Sequence, residues 1–319
     1  MEKPKVSLAI LNYNGKKYLK TCLDSVREQS YENIEVVVTD NGSTDGSQGF
    51  IGQNYPEVKL VNNPVNVPIV GYNTGIRNSV GEFVAVLNND TRLDKDWVKE
   101  MVELFESKPF VGMCTGKILY LEAPDTLNIG GVTIAKDGSC IVIGENKKDD
   151  GTFDESKEMF STCNAGSMYR KKMLDEIGLF DEDFWLYYEE IDLSWRAYRA
   201  GWKSWYHPKA VMYHERGGTE GRFPLGRMYK GERNRVWTNI KNMPLSMLIP
   251  SFFYSFKRVF SQRGEKTGYV KQEVSLFTIG FTLIKAWGVG IFGSGKMIKK
   301  RLQMKGKLKK KDVKKFINP

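Results

Sequence analysis

The chain has 319 residues, 41% of them hydrophobic and 27% charged, so it can bury a core and is not disordered as a whole. Its net charge of +10 lies entirely in the C-terminal part, because residues 1–215 carry 24 basic and 33 acidic side chains, which argues against a nucleic-acid-binding protein. Four widely spaced cysteines and two histidines exclude a zinc finger, make a disulfide framework unexpected and are typical of a reducing cytosol.

The first hundred residues alternate between short apolar runs and amphipathic segments. The N-terminus lacks a long apolar region with a cleavage site, so we expect a first strand there and no signal peptide. The pattern predicts strands at residues 6–11, 34–39, 58–62 and 83–88, and helices at residues 16–29, 71–79 and 96–107. This alternation is typical of a doubly wound, parallel α/β sheet with functional residues at the carboxyl ends of its strands.

The second predicted strand leads into the segment TDNGSTDGS, residues 39–47. A carboxylate at the end of a strand can accept hydrogen bonds from the imide edge of uracil or thymine, while the following Gly and Ser turn the chain away. Asp40 is therefore predicted to bind the base of a nucleotide. An ordinary Asx turn is the alternative for this segment alone.

The fourth predicted strand ends in Asn88, Asn89 and Asp90. Hard divalent cations prefer oxygen ligands and often bind through one or two carboxylates together with substrate phosphates. Asp90 is thus predicted to bind Mn²⁺ or Mg²⁺ beside a diphosphate. The alternative, a turn with a helix cap, is weaker because Asp94 or Asp96 can supply the cap.

The second half of the chain begins weakly patterned and then becomes aromatic and acidic in FDEDFWLYYEEIDLSWRAYRAGW, residues 180–202, which predicts a helix that ends at Gly201. The segment AVMYHE predicts a short strand that carries His214 near its end. The basic segment RMYKGERNRVW follows and offers cations, among them Arg233, that can neutralise a diphosphate.

The C-terminal part contains apolar runs at residues 245–256 and 274–284 and ends in a lysine-rich stretch. Its longest uncharged run, residues 243–256, is shorter than the roughly 18 residues of a spanning helix, so we do not expect a simple transmembrane anchor. Apolar helices flanked by lysines instead favour binding to an anionic membrane surface. A helical dimerisation appendage is the alternative.

The segments ILNYNG, TDNGSTDG, GYNTGIRNSVGEFVAVLNNDT and LYYEEIDLSWRAYRAG, in this order, resemble the family 2 glycosyltransferases, particularly the rhamnosyltransferase-like branch, over about residues 5–240. The resemblance implies a GT-A type α/β fold with a mostly parallel sheet. It divides the chain into a glycosyltransferase domain (residues 1–240) and an amphipathic, polybasic, membrane-associating extension (residues 241–319). Within the domain, about residues 1–112 form the nucleotide-sugar half and about residues 113–240 the acceptor half.

The resemblance also assigns roles to residues that match the family's motifs. The predicted donor-binding residues are Asn12, Asn14, Asp40, Asn41, Asn73, Asn88, Asn89 and Arg233, with Asn73 near the ribose or diphosphate. Glu190 matches the general base, with Glu189 as a possible exchange partner, and Asp90 and His214 match the metal ligands. The predicted acceptor contacts are Asn164, Ala165, Gly166 and Trp195.

The function implied by the resemblance is inverting transfer of a hexosyl or rhamnosyl group from a UDP- or dTDP-sugar to a hydroxyl of a glycan or lipid-linked glycan, with Mn²⁺ or Mg²⁺, in cell-surface polysaccharide synthesis. We expect a cytoplasmic protein that is peripheral on the inner face of the cell membrane, and a homo-oligomer is compatible with the sequence. The alternatives are a sugar-phosphate nucleotidyltransferase and a non-catalytic, membrane-bound protein that binds glycans or nucleotides.

Overall fold

The computed structural model describes residues 3–215, 224–261, 275–304, 306 and 308–318. The predicted apolar run 274–284 begins at Val274, which lies outside the described residues. Within these ranges the chain forms one large mixed sheet, a small second sheet and a set of C-terminal helices.

The N-terminal half is built on four parallel strands in the order β3-β2-β1-β4: β1 Val6–Asn12, β2 Ile34–Asp40, β3 Lys59–Asn62 and β4 Phe83–Asn88. The connecting helices are α1 Lys16–Arg27, α2 Ser47–Asn54 and α3 Pro68–Arg77. Successive side chains of β1 face opposite sides of the sheet, so Leu8 packs in the same core as Leu19 of α1, whereas Ala9 packs in the same core as Ile76 of α3. The predicted doubly wound arrangement is confirmed.

The register of these strands brings their carboxyl ends to one edge of the sheet. Asn12 lies opposite Asp40 across β1 and β2, and Leu11 lies opposite Asn88 across β1 and β4. The polar segments that follow the strands therefore meet at this edge.

The chain continues with strand β5 Thr91–Leu93, helix α4 Trp97–Ser107, strand β6 Val111–Tyr120 and strand β7 Ala123–Ile129. The next elements are β8 Val132–Ala135, β9 Cys140–Val142, β10 Lys157–Met159, β11 Gly166–Arg170, α5 Lys171–Ile177, α6 Glu189–Ala200 and β12 Lys203–His214. The ten-stranded sheet has the order β10-β12-β6-β11-β4-β1-β2-β3, with β5 beside β12 and β7 beside β6. Since β11 is antiparallel to both β4 and β6, it joins two parallel regions into one sheet.

The sequence pattern did not predict α2 or α5. Helix α2 contains two glycines, and only Ser47 and Ile51 of its eight residues are buried, so it has no apolar stripe that periodicity could detect. Helix α5 spans only seven residues and buries only Met173 and Leu174.

The C-terminal helices are α7 Pro224–Asn242, α8 Leu245–Ser261, α9 Leu276–Phe292, α10 Gly295–Gln303 and the short α11 Lys310–Val313. Helix α7 packs between the body and the extension, since it contacts α6 on one side and α9 and α10 on the other. No single helix of the described ranges has both the length and the hydropathy to cross a membrane, although the pair Phe277–Phe292 and Gly295–Gln303, bent by 50°, passes that test together.

The end of the chain returns to the body. The short strand β13, Ile317–Asn318, lies parallel to β8, and the ring of Phe316 packs 5.8 Å from Phe160 and 5.1 Å from Tyr198. Val313 and Phe316 are buried there. Within the predicted extension from residue 241 to 319, this last segment therefore packs in the same core as Phe160 and Tyr198.

Several C-terminal cations also pair with acidic residues of the body. Lys296 lies 3.0 Å from Asp183, Lys300 lies 2.8 Å from the same carboxylate, and Lys315 pairs with Glu158. These three lysines therefore hold the C-terminal segments against the body, and the predicted contact of the lysine-rich end with lipid headgroups stays a prediction.

Candidate active site

Asp40 lies at the end of β2 and is completely buried. Its Oδ1 accepts hydrogen bonds from the Ser43 backbone N–H at 2.9 Å and from Gln48 Nε2 at 2.8 Å. Its Oδ2 accepts from Asn12 Nδ2 at 2.6 Å and from the Ser43 hydroxyl at 2.7 Å. A carboxylate has about four acceptor positions, so the protein uses all of them. A nucleobase that binds Asp40 must replace one of these bonds, and the predicted base contact stays a prediction.

The amide side chains of the first strand link the strand ends to one another. Asn89 Nδ2 donates to Asn12 Oδ1 at 2.6 Å, which joins the end of β4 to the end of β1. The exposed Asn14 has a left-handed φ of 46°, and its Oδ1 accepts from the Thr44 backbone N–H at 2.8 Å. The predicted donor-binding residues of three strands therefore form one connected edge.

Asn41 has a hydrogen-bond donor that the protein leaves unused. Its Oδ1 accepts from Asn63 Nδ2 at 2.8 Å, but its own Nδ2 is buried without a hydrogen-bond partner. Gly71 of α3 faces this amide so closely that a Cβ at position 71 would lie 2.7 Å from it. The unused donor is compatible with the predicted donor-binding role of Asn41.

The structure gives Asn73 a different role from the predicted contact with the ribose or diphosphate. Asn73 is buried, and its Nδ2 donates to the Phe180 carbonyl and to Glu182 Oε1, both at 2.9 Å. Its Oδ1 accepts from the Phe180 backbone N–H at 3.1 Å. Because its N–H groups and its oxygen are bonded within the protein, Asn73 instead ties α3 to the segment that precedes α6.

Asp90 and His214 meet because β5, which follows Asp90, pairs with the end of β12. His214 Nε2 lies 3.3 Å from Asp90 Oδ1, but the two atoms lack hydrogen-bond geometry, and Asp90 Oδ1 is buried with no hydrogen-bond partner. The other ring nitrogen, Nδ1, lies 3.2 Å from Asn128 Oδ1. When Nδ1 donates its proton to Asn128, Nε2 presents a lone pair beside the carboxylate oxygen.

This donor set fits a divalent metal ion. A carboxylate oxygen and an imidazole nitrogen are both lone-pair donors, and the unsatisfied oxygen of Asp90 gains a partner when a cation binds. Within the described residues, no group of three or more His, Cys, Asp or Glu side chains could hold a metal. The protein would thus supply two ligands, and substrate phosphates and water the others.

Glu189 and Glu190 form the first turn of α6. Glu189 is buried, and its Oε1 accepts from Asn164 Nδ2 at 3.1 Å, whereas Glu190 remains partly exposed. One oxygen of each carboxylate, Oε2, has no hydrogen-bond partner. Burial raises the pKa of Glu189, and burial together with the charge of Glu189 raises the pKa of Glu190 well above that of an ordinary carboxyl.

Tyr72 of α3 is buried against the end of β4. Its hydroxyl donates to Asn88 Oδ1 at 2.7 Å. Burial, followed by the charges of Glu189 and Asp90, raises the pKa of Tyr72 well above its usual value. Asn88 also contacts the loop that holds Glu189, because its backbone N–H donates to the Ala165 carbonyl at 3.2 Å and the neighbouring Asn164 bonds Glu189. These bonds bring the ends of β4 and the start of α6 together. Tyr72 was missed as a site residue, although it lies in the GYNTG motif.

All four predicted acceptor contacts are buried. Trp195 is 1% exposed and packs edge to face on Phe160 with ring centres 5.0 Å apart, so it is a core residue. Ala165 and Gly166 are also buried. Asn164 is buried too, but it positions Glu189 through the bond described above.

Arg233 bonds neighbouring groups of the protein. Its Nη2 donates to the Phe184 carbonyl at 3.2 Å, its Nε donates to Asn234 Oδ1 at 2.9 Å, and its guanidinium lies 4.5 Å above the ring of Trp237. These contacts link Arg233 to the segment before α6, and the predicted diphosphate contact stays a prediction. Asn128 and Asn234 were both missed, because no local pattern marks an asparagine that acts through another residue.

Comparisons with known proteins agree with this arrangement. Residues 7–178 match the model of Glycosyl transferase family 2. Glycosyltransferase GlyA of Streptococcus pneumoniae serotype 4 is 26% identical over 266 residues, 82% of this chain and 31% of that protein. N-acetylglucosaminyl-diphospho-decaprenol L-rhamnosyltransferase of Mycobacterium tuberculosis is 24% identical over 250 residues, 68% of this chain and 78% of that protein. The chain spans less than two thirds of the length of the first curated relatives that it matches.

A solved structure extends the likeness to the whole fold. Mannosyltransferase PcManGT from Pyrobaculum calidifontis, in complex with GDP-Man and Mn²⁺, matches with a TM-score of 0.55 and 15% identity over 95% of this chain and 86% of that one. At this identity the likeness concerns the fold alone, and it confirms the predicted GT-A type. Since the family model covers more than half of the chain, the chain belongs to glycosyl transferase family 2.

Proposed function

We propose that this chain is an inverting, metal-dependent glycosyltransferase that moves a sugar from a UDP- or dTDP-sugar to a hydroxyl of a glycan or lipid-linked glycan in cell-surface polysaccharide synthesis. The observation that carries the proposal is Glu190, a partly exposed residue whose carboxyl has a raised pKa and a buried Oε2 without a partner, on a helix whose start is bonded through Asn164 to the loop beside the end of β4, which leads to Asp90.

Glu190 supplies the base. A raised pKa makes its carboxylate a stronger proton acceptor than an ordinary one, and this partly exposed residue would take the proton of the acceptor hydroxyl. The deprotonated oxygen attacks C1 of the donor sugar from the face opposite the nucleoside diphosphate, which leaves as the new bond forms. The configuration at C1 is therefore inverted. Glu189 keeps the pKa of Glu190 high because it lies beside it.

Asp90 and His214 would hold Mn²⁺ or Mg²⁺, with Asn128 orienting the imidazole. The ion supplies positive charge for the leaving diphosphate. The mannosyltransferase whose structure contains Mn²⁺ and a nucleotide sugar supports this proposal by its fold. The rhamnosyltransferase relative, named for an N-acetylglucosaminyl-diphospho-decaprenol substrate, supports a lipid-linked glycan as the acceptor.

The experiment is to incubate the full chain with a set of UDP- and dTDP-sugars and Mn²⁺ and to measure release of nucleoside diphosphate. We expect release with at least one donor, loss of release with EDTA, and an inverted anomeric centre in the product by NMR. Pyrophosphate release from an NTP plus a sugar phosphate would instead identify a nucleotidyltransferase. Donor binding without turnover would identify a non-catalytic binding protein.

We further propose that the protein sits on the cytoplasmic face of the cell membrane through helices α8 to α10. Large apolar side chains more than half exposed are concentrated there: Leu245, Ile249, Phe253, Phe277, Phe281, Ile284, Phe292 and Leu302. A groove of about 560 Å³ lined by Leu245, Leu248, Phe252, Ile291 and Ile298 continues this surface. Contiguous exposed apolar surface of this kind is typical of an interaction with another apolar phase.

Sedimentation with phosphatidylglycerol vesicles tests this location. We expect the double variant Phe253→Asp with Phe281→Asp to lose most of its vesicle binding, because the charges would enter the lipid interface. The matched control is Phe110→Asp, since Phe110 is 50% exposed on the body at the start of β6. Equal binding by the double variant and the control would contradict the location.

A further inference from the structure

The segment before α6 has an unusual backbone. Trp185, Tyr187 and Tyr188 have φ values of 66°, 72° and 70°, in the left-handed region that large side chains rarely adopt. Such conformations persist only when surrounding contacts hold them, and they are concentrated at functional sites. The strained turn, residues 184–188, leads directly into Glu189 and Glu190. Its conformation therefore sets the direction in which both carboxylates leave the backbone.

One side chain bonds three successive parts of this turn. Asn234 of α7 is completely buried, and its Nδ2 donates to the carbonyls of Phe184, Leu186 and Tyr187 at 3.0, 2.8 and 2.8 Å. Only two N–H groups serve three carbonyls, so one bond is shared. The Phe184 carbonyl also accepts from the Leu186 backbone N–H at 2.8 Å, so removal of Asn234 would cost the Leu186 and Tyr187 carbonyls their partner above all.

The orientation of the Asn234 amide is itself fixed. Arg233 Nε donates to Asn234 Oδ1 at 2.9 Å, which turns the NH₂ group toward the strained turn, and Arg233 Nη2 donates to the Phe184 carbonyl. The turn continues into the helix through the bond from the Asp192 backbone N–H to the Tyr188 carbonyl at 2.9 Å. A short chain of contacts thus runs from Arg233 through Asn234 and the turn to the first turn of α6.

We propose that Asn234 is a positioning residue for the transfer reaction: it holds the strained turn 184–188 and thereby places Glu190 for proton abstraction. This inference rests on the proposed function. The step that Asn234 affects is the transfer of the acceptor hydroxyl's proton to Glu190. The proposed donor site at the ends of β1, β2 and β4 has no contact with Asn234. Loss of Asn234 should therefore slow turnover and leave donor binding intact.

The chain offers a matched control. Asn239 is also a buried asparagine of α7, but its Nδ2 donates to the Asp137 carbonyl at 2.8 Å, in the turn between β8 and β9. Asn234→Ala and Asn239→Ala remove the same amide from the same helix. They differ in whether the amide holds the turn before Glu190.

The experiment compares both variants with the natural chain in Mn²⁺, with UDP-glucose, UDP-N-acetylglucosamine and dTDP-rhamnose as donors and release of nucleoside diphosphate as readout. We expect Asn234→Ala to lower kcat by about 100-fold with the donor KM unchanged within about twofold, since a misplacement of about 1 Å has an effect of this order. Asn239→Ala should stay within about threefold of the natural chain. Asn234→Ser, which keeps one donor, should be intermediate in kcat.

Hydrogen exchange gives a readout besides activity. Backbone amides of residues 186–192 should exchange faster in Asn234→Ala and not in Asn239→Ala, with the thermal transition of both variants still cooperative. Equal kcat in the two alanine variants, or an equal rise of donor KM and fall of kcat in Asn234→Ala, would overturn the positioning role while the proposed function stands. If the natural chain releases no nucleoside diphosphate from any donor, the proposed function fails and this inference fails with it.

Discussion

Two carboxylate sites at one edge of the sheet differ in how the protein satisfies them. The buried carboxylate of Asp40 accepts four hydrogen bonds from neighbouring groups. Glu189 and Glu190 each keep one oxygen without a partner, although burial penalises their charge. The protein supplies hydrogen bonds to all acceptor positions of Asp40, whereas one oxygen of each glutamate gains a partner only from a proton or a substrate.

This difference shows where the molecule uses polar burial for stability and where it uses it for chemistry. A saturated buried carboxylate stabilises the folded chain, because each bond to a charged group contributes. An unsatisfied buried carboxylate costs stability and takes up a proton more readily, which is the property that a general base needs. Substitution of the two sites should therefore have opposite effects on folding.

The largest effect on stability is expected from Asp40→Asn. An amide at this position presents an N–H group to donors from Asn12, Ser43 or Gln48, so at least two bonds to a charged acceptor are lost. We expect the free energy of unfolding to fall by about 3 kcal/mol in urea titration. A fall of less than about 0.5 kcal/mol in the free energy of unfolding would mean that the hydrogen bonds to Asp40 do not stabilise the folded chain.

A smaller effect is expected from Asn128→Ala, which tests the proposed metal-binding residues Asp90 and His214. Without the Oδ1 acceptor, His214 loses the partner that fixes its tautomer and ring orientation. We expect Mn²⁺ affinity to fall by about 10- to 100-fold in calorimetry, the usual range for an orienting partner of a metal ligand. Asn146→Ala is the control, because it removes an amide oxygen that accepts from the Tyr120 hydroxyl at 3.2 Å, and it should leave Mn²⁺ affinity unchanged.

The smallest effect, and one of opposite sign, is expected from Glu189→Gln. Because burial raises the pKa of Glu189, the folded state holds its proton more tightly than the unfolded state does, and stability is lost as pH rises through the raised pKa. Gln keeps the bond from Asn164 and removes that loss. We expect a gain of about 1 kcal/mol at pH 8, a usual size for one substitution, and no gain at pH 4.

The same variant should also shift the activity profile. Removal of the Glu189 charge lowers the pKa of Glu190, so the acid limb of kcat should move to lower pH. A destabilised Glu189→Gln protein at pH 8, or an unmoved acid limb, would contradict the unsatisfied state assigned to this pair.

The sequence predicted the strands and the helix that carry this site, because each of them has a local sequence pattern. Apolar runs that end in Asp40 or in Asn88 to Asp90 predict parallel strands with a polar edge, and the EEID segment predicts acidic residues at the start of a helix. The pattern of α6 also indicates that Trp195 is a core residue, since Ile191, Trp195 and Tyr198 share one helical face. All three are buried.

The partners of these residues were not predictable in the same way. Asn73 bonds a segment more than a hundred positions away in the chain, and Asn234 bonds a turn nearly fifty positions away. Such contacts depend on how α3 and α7 pack against the acceptor half, which no local spacing encodes. The ion pairs of Lys296 and Lys300 are unpredictable for a related reason, because their acidic partners lie in the segment before α6, far away in the sequence.

The central claim is that Glu190 takes the acceptor's proton, and the most direct measurement is the pH dependence of kcat for the natural chain and for Glu190→Gln. We predict an acid limb above the range of ordinary carboxyl groups in the natural chain, as the raised pKa requires. We predict that Glu190→Gln lowers kcat by about 10²- to 10⁴-fold with unchanged donor affinity. Turnover by Glu190→Gln at the rate of the natural chain, with the same acid limb, would contradict the claim.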